Sequence, residues 1–222
     1  MKMTLKALGL ASALTLTPLA ALAQSAPSAD WSGFHVGAHV GWLWGDIDYR
    51  EPDPGGLAAS PDIDGFAGGG LIGYNHRIER LIAGLEADGG LLDASFDSGE
   101  SGGNGYSAFD LDWNAHVRAR LGWAVENTLL FIAGGLALAQ VTLDDTDAGF
   151  GDDDNIHLGW TVGGGVEHAV TGDLVLRLEY LYDDYGQERY TIASPPGPFF
   201  PSYPADIELT SHTLRAALSY RF

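Results

Sequence analysis

The sequence predicts an all-β chain, an eight-stranded antiparallel up-and-down transmembrane β-barrel, and three observations lead there. The first is a period-two alternation of apolar and polar residues, sustained well beyond the ~5–6 residues of an ordinary strand. The second is the gathering of aromatic residues toward both ends of the alternating segments, as a membrane interface selects. The third is the ending of the chain on a strand-like run that closes with Tyr220-Arg221-Phe222.

Residues 1–23 are expected to be a cleaved secretory signal. Lys2 and Lys6 precede an apolar stretch from Ala7 to Leu22, and Ala21-Leu22-Ala23 offers a small-x-small cleavage site before Gln24. Residues 24–222 then form one barrel domain that contains no lysine. The longest later apolar run, Leu129 to Ala139, is 11 residues, short of the ~18 of a candidate spanning helix. Strands must therefore do any crossing.

Eight segments carry the alternation: 33–48, 64–77, 81–96, 107–125, 129–143, 156–170, 173–186 and 208–222. It is clearest in the fourth, where Phe109, Leu111, Trp113, Ala115, Val117, Ala119, Leu121, Trp123 and Val125 share one face. Asp110, Asp112, Asn114, His116, Arg118 and Arg120 share the other. In the last segment Leu214, Ala216, Leu218, Tyr220 and Phe222 oppose Thr213, Arg215, Ser219 and Arg221. Leu174, Leu176, Leu178, Tyr180 and Tyr182 oppose Arg177 and Glu179, and Ile156, Leu158, Trp160, Val162 and Val166 oppose Thr161 and Glu167. Alternation alone also suits a soluble barrel, so strand length, aromatic placement and the chain ending decide for the membrane. Long connections (49–63, 97–106, 144–155, 187–207) alternate with short turns, as in outer-membrane barrels. Phe34, Tyr74, Trp123, Phe131, Tyr220 and Phe222 fall near the short turns. Trp42, Trp44, Phe109, Trp113, Trp160, Tyr180 and Tyr182 fall toward the long loops.

Composition removes other classes. Asp and Glu number 30 against 11 Lys and Arg, a formal net charge of −19, which repels phosphate backbones and argues against a nucleic-acid partner. Without Cys there is no disulfide framework, thiolate metal site or Cys nucleophile. At 45% hydrophobic and 11% aromatic, the chain is too apolar for disorder.

Several stretches resemble the Omp25/Omp31-like outer-membrane proteins, relatives of the OmpA barrel, also called porin-family or opacity-type proteins. Trp31-Ser32-Gly33-Phe34 with Gly37 and Gly41 resembles their opening strand, and Gly70-Leu71-Ile72-Gly73-Tyr74-Asn75 their second. Residues 159–167 and 178–182 resemble the sixth and seventh strands, and Arg215 to Phe222 the closing one. The resemblance implies residence in the outer membrane of a Gram-negative cell envelope. It also implies that the terminal aromatics, Tyr220 and Phe222, are an assembly signal read by the outer-membrane assembly machinery. It is less specific to function, because one barrel hosts many roles.

An eight-stranded barrel encloses just enough space for side chains to fill. The inward charges are Glu86, Asp88, Asp112, His116, Arg118, Arg120, Glu167, Arg177, Glu179 and Arg215, and isolated buried charges are costly, so a paired network is expected. It reads as a structural plug. A narrow ion or proton path is the sharper alternative, and the same ion pairs would block it. Some relatives bind haem, and His35, His39, His116 and His157 point inward, but a filled lumen leaves no room for a porphyrin; no cofactor is expected. Catalysis has little support. Ser211 and His212 are strand neighbours pointing to opposite faces, and neither a Gly-x-Ser-x-Gly nor a His-Glu-x-x-His motif occurs.

The long loops carry 13 of the 30 acidic residues, including Asp144, Asp145, Asp147 and Asp152 to Asp154, with Glu51, Asp53 and Asp62 in the first. Their spacing is not that of a dedicated calcium loop, so a solvated rim is the plain reading, and a rim bridged by divalent cations to lipopolysaccharide phosphates the sharper one. The fourth loop holds five of the ten prolines together with Phe199, Phe200 and Tyr203. These aromatics read either as a lid over the barrel mouth or as an exposed patch for a host or surface partner through 187–207. The expected role is structural, in envelope integrity and surface interactions, with a narrow porin or a haem- or small-ligand-binding surface protein as the alternative.

Overall fold

The computed structural model describes residues 29–50, 58–60, 62–96, 108–144, 153–192 and 203–222. Its strands are β1 (Gly33–Arg50), β2 (Ala58–Ala59), β3 (Asp62–Ile78), β4 (Leu81–Phe96), β5 (Ala108–Val125), β6 (Thr128–Asp144), β7 (Asp153–Ala169), β8 (Leu174–Ile192) and β9 (Tyr203–Arg221). Neighbours in sequence pair antiparallel from β3 to β9, β1 pairs β3, and β1 also pairs β9 from His35↔Arg221 to Arg50↔Asp206. The sheet therefore closes on itself. The two-residue β2 touches only Tyr49 and Arg50, so the wall is eight-stranded.

The long strands run from 16 to 19 residues. At ~3.3 Å per residue and a tilt of about 40°, even the shortest exceeds a hydrocarbon core of ~30 Å. The outward row is apolar and exposed: Val36, Val40, Ile72, Leu85, Val117, Ile132, Leu136, Leu176, Leu178 and Leu218. The inward row is polar or charged at mid-height and buried, with Arg118 at 0% and Arg177 at 3% exposure. This inversion of a water-soluble barrel is what lipid around the wall demands.

Two aromatic belts bound the apolar band. Phe34, Tyr74, Trp123, Tyr220 and Phe222 are exposed at one rim, and Trp42, Trp44, Phe66, Trp160 and Tyr180 at the other. Phe131 does not belong to the first belt. It points inward, buried, with the guanidinium carbons of Arg120 and Arg177 at 4.4 and 5.2 Å from its ring centroid. Its neighbours in β6 are apolar on both faces, so the alternation there gave no sign of which way it turns.

β5 carries a second departure. Its register against β6 shifts between Leu111 and Trp113, and against β4 between Leu91 and Ala94. The extra residue reverses the parity above Asn114. Leu111 is consequently buried inside, and Asp112, expected in the lumen, is exposed. The strict alternation of Asp110, Leu111, Asp112 and Trp113 conceals the bulge.

Candidate functional site

The lumen is filled in three layers. At the periplasmic mouth the segment before β1 folds back inside, burying Ala29 and Trp31 against Ile82, Ala124, Leu129, Ala169 and Val175. Hydrogen bonds hold it: Ala29 N donates to Asn127 Oδ1 (3.2 Å), Arg77 Nη1 to Ala29 O (3.1 Å), and Arg77 N to Ser32 Oγ (3.2 Å). Arg221 stands over the Trp31 ring at 5.1 Å. At the opposite end, Leu43, Ile47, Ile63, Leu111, Val141, Tyr185, Ile207 and Leu209 form an apolar cap.

Between them lies the charged layer. β5 places Arg118 at its centre, where Nη1 donates to Glu179 Oε1 (2.6 Å) and Nη2 to Glu86 Oε1 (2.8 Å) and Asp88 Oδ2 (3.0 Å). Arg177 grips Glu86 with both terminal nitrogens, at 2.8 and 2.6 Å, and donates from Nε to Glu167 (2.7 Å). Arg120 spans Glu86 (3.2 Å) and Glu167 (2.9 Å). Arg215 spans Asp88 (2.8 Å) and Glu179 (2.9 Å). The planar fork of arginine suits such bridging. β4, β5, β7, β8 and β9 are thereby tied together across the lumen.

Apart from Asp112, every lumen residue expected from the sequence lies in this layer. The structure adds Asp183 and brings His35, expected to point inward, into contact with the same layer. His116 Nδ1 lies 2.9 Å from Asp88 and Nε2 3.3 Å from Asp183, while His35 Nε2 meets Glu86 at 3.1 Å. Asp183 shares the inward parity of Arg177 and Glu179, which is the signal that could have found it. Four arginines face five carboxylates, Glu86, Asp88, Glu167, Glu179 and Asp183. With His116 as imidazolium the charges balance.

His39 and His157 are buried inward as expected, and His212 lies outside, stacked on Trp44 and 2.7 Å from the Tyr180 hydroxyl. Tyr220 and Phe222 face outward with ring centroids 5.1 Å apart, and Phe222 N donates to Phe34 O (2.9 Å). Phe199, Phe200 and most of the acidic loop residues lie outside the described residues. Tyr203 begins β9.

A closed, lipid-facing cylinder with two aromatic belts and a buried ionic interior defines an integral outer-membrane β-barrel. Residues 11–222 match the family model described as outer membrane protein beta-barrel domain. The chain is 30% identical to the 31 kDa outer-membrane immunogenic protein of Brucella melitensis, over 92% of this chain and 89% of that one. It is 33% identical to the 22 kDa outer membrane protein of Rhizobium leguminosarum, over 76% and 71%. The chain belongs to this outer-membrane β-barrel family, in its Omp25/Omp31-like branch, and resides in the outer membrane. Among solved structures, OprG of Pseudomonas aeruginosa superposes with a TM-score of 0.56 at 9% identity, covering 89% of this chain and 99% of that one. Neisserial surface protein A gives 0.51 at 19%, covering 86% and 98%. The outer-membrane protease OmpT of Escherichia coli gives 0.52 at 12%, covering 86% and 97%. The shared fold thus includes an enzyme.

Proposed function

We propose that this protein is a structural, non-catalytic component of the envelope, a sealed barrel that reinforces the outer membrane and presents its loops to the surroundings. The observation that carries this reading is the layered lumen, in which Trp31, the arginine–carboxylate layer and the apolar cap lie in series. An ion would have to displace all three, and a haem would need the space they fill. Against catalysis stands the orientation of Ser211 and His212, the former buried in the lumen beside Asp183 and the latter on the outer wall. The outward pair Tyr220 and Phe222 fits recognition by the assembly machinery. Exposed Asp46, Asp48, Asp62, Asp64 and Asp93 at the outer end of the wall suit divalent bridging to lipopolysaccharide phosphates. Phe199, Phe200 and Tyr203 are the proposed contact for a surface partner.

The test joins planar-bilayer recording with a deletion strain. The sealed barrel predicts no conductance above the bare bilayer and increased sensitivity of the deletion strain to detergent. Steady single-channel steps would establish the narrow porin instead. Chelator should lower the thermal stability of the protein in lipopolysaccharide-containing membranes; no change removes the bridging role. Replacing Phe199 and Phe200 with Ser should abolish surface adhesion; unchanged adhesion leaves those rings only a lid role.

A further inference from the structure

One corner of the periplasmic rim departs from the acidic character of the chain. The first short turn, Ile78-Glu79-Arg80-Leu81, borders a shallow groove of about 540 Å³ lined by Arg77, Ile78, Glu79, Arg80, Leu81 and Trp123. Its floor is apolar. Ile78 of β3 pairs with Leu81 of β4, Leu81 pairs with Trp123 of β5, and all three are exposed on the lipid-facing side. Trp123 belongs to the aromatic belt of this rim, so the groove lies at the depth of lipid headgroups.

The chain itself holds the turn in place. Ala124 N donates to Arg80 O (2.8 Å), and Glu79 takes a left-handed conformation, φ 59°. Arg77 donates from Nε to Glu79 O (2.6 Å) and from Nη1 to Ala29 O (3.1 Å), both of them carbonyls, so its charge is not neutralised. Arg80 is exposed, and among the described residues its side chain has no hydrogen-bond or ion-pair partner. The arginines of the charged layer and Arg189, by contrast, all grip carboxylates. Two arginines against Glu79 leave the lining one positive charge in surplus, in a chain of net charge −19. Glu126, in the neighbouring turn, forms no ion pair with either arginine.

We infer that this groove binds an anionic glycerophospholipid of the periplasmic leaflet, with Arg80 on the phosphodiester, Arg77 adding its charge from behind, and the acyl chains along Ile78, Leu81 and Trp123. Arginine suits this occupant because its planar fork donates two parallel hydrogen bonds to phosphate oxygens. The floor decides between a lipid and a free phosphate, since only the lipid covers the apolar side chains. The opposite rim offers no equivalent: its exposed Asp46, Asp48, Asp62, Asp64 and Asp93 repel the same headgroup unless a cation intervenes. This site is independent of whether the lumen conducts.

The experiment uses the full chain in uncharged detergent micelles, with phosphatidylglycerol brominated on its acyl chains as probe at a low molar ratio to protein. Bromine quenches a tryptophan that it touches, so quenching should saturate and should be lost in Trp123→Phe, which keeps an apolar ring in the floor. Arg80→Gln should weaken binding by about tenfold, as for one charge-assisted contact. Arg50→Gln, which removes the same charge from the opposite rim, should leave binding unchanged. Diacylglycerol with the same brominated chains should bind at least about tenfold more weakly, because it lacks the phosphate. Quenching that survives Trp123→Phe, unchanged binding in Arg80→Gln, equal weakening by Arg50→Gln or equal binding of the diacylglycerol overturns the inference. So does displacement of the lipid by an equal concentration of glycerophosphate, since the turn would then hold a free phosphate.

Discussion

Arg118→Met removes the centre of the charged layer while keeping much of the side chain's volume. Arg118 is fully buried and touches three carboxylates, all of which stay behind. Deleting one partner of a buried ion pair costs about 3–5 kcal/mol, because the remaining charge has lost its compensation. Here each carboxylate keeps other partners: Glu86 retains Arg120, Arg177 and His35; Asp88 retains Arg215 and His116; Glu179 retains Arg177 and Arg215. The cost should accordingly fall at the lower end, about 3 kcal/mol. Adding Glu179→Gln removes the surplus negative charge and should return about 1–2 kcal/mol of that loss, a coupling typical of residues in contact. Reversible urea unfolding in lipid vesicles, followed by tryptophan fluorescence and heat-dependent gel mobility, measures both values. Stability of Arg118→Met within about 0.5 kcal/mol of the unsubstituted chain would refute the claim that the network ties the strands together, because that is the range of inert surface changes. A double variant less stable than Arg118→Met would refute the charge-balance argument.

Three further outcomes follow from the geometry. Trp31→Ala should cost about 3–5 kcal/mol in the same unfolding assay, as for a buried aromatic, yet produce no conductance, because the charged layer above it is intact. Gly159→Ala should destabilise by about 1–3 kcal/mol and accelerate amide exchange around Asp184, since its Cβ would meet backbone atoms that cannot yield. Asp206 is held below the usual carboxylate range, chiefly by its hydrogen bond from Arg189. A depressed folded value means that the contribution is present above the unfolded pKa of ~3.9 and lost as pH falls through the folded value. Protection of the Gln187–Ile192 amides should therefore decline below about pH 4, and Arg189→Gln should remove that decline. Equal pH dependence in both proteins would show that the exposed pair does not hold the hairpin.

The alternating pattern made the barrel legible because lipid outside and ion pairs inside oppose each other at every second residue. Strand ends were legible only where a turn interrupts that pattern, as at Glu79-Arg80 and Glu126-Asn127. At the outer end the sequence pattern ends this segment at residue 186, whereas the structure uses Gly186 as a bulge and continues β8 to Ile192. Asp112 failed for a related reason. A bulge changes which face a residue occupies without changing the sequence pattern, so perfect alternation across Leu111 and Trp113 gave the wrong parity. Phe131 shows the opposite failure, an aromatic used inside to carry arginines rather than outside to meet lipid headgroups.

The position of the charges within the lumen bears on why the chain adopts one inside and one outside. A strand slipped by a single residue exchanges its two faces, and a barrel apolar on both would barely distinguish the alternatives. Near the outer rim both faces are indeed apolar in places: Leu43 points inward between outward Trp42 and Trp44. At mid-height the distinction is severe, because reversing β5 would place Arg118 and Arg120 in hydrocarbon, where an arginine at the bilayer midplane costs about 2–4 kcal/mol. The buried network need not exceed a packed apolar core in stability to be selected. It suffices that the misregistered barrel loses the ion pairs and gains the lipid penalty together, so that the charged layer fixes register for all five of the strands it joins.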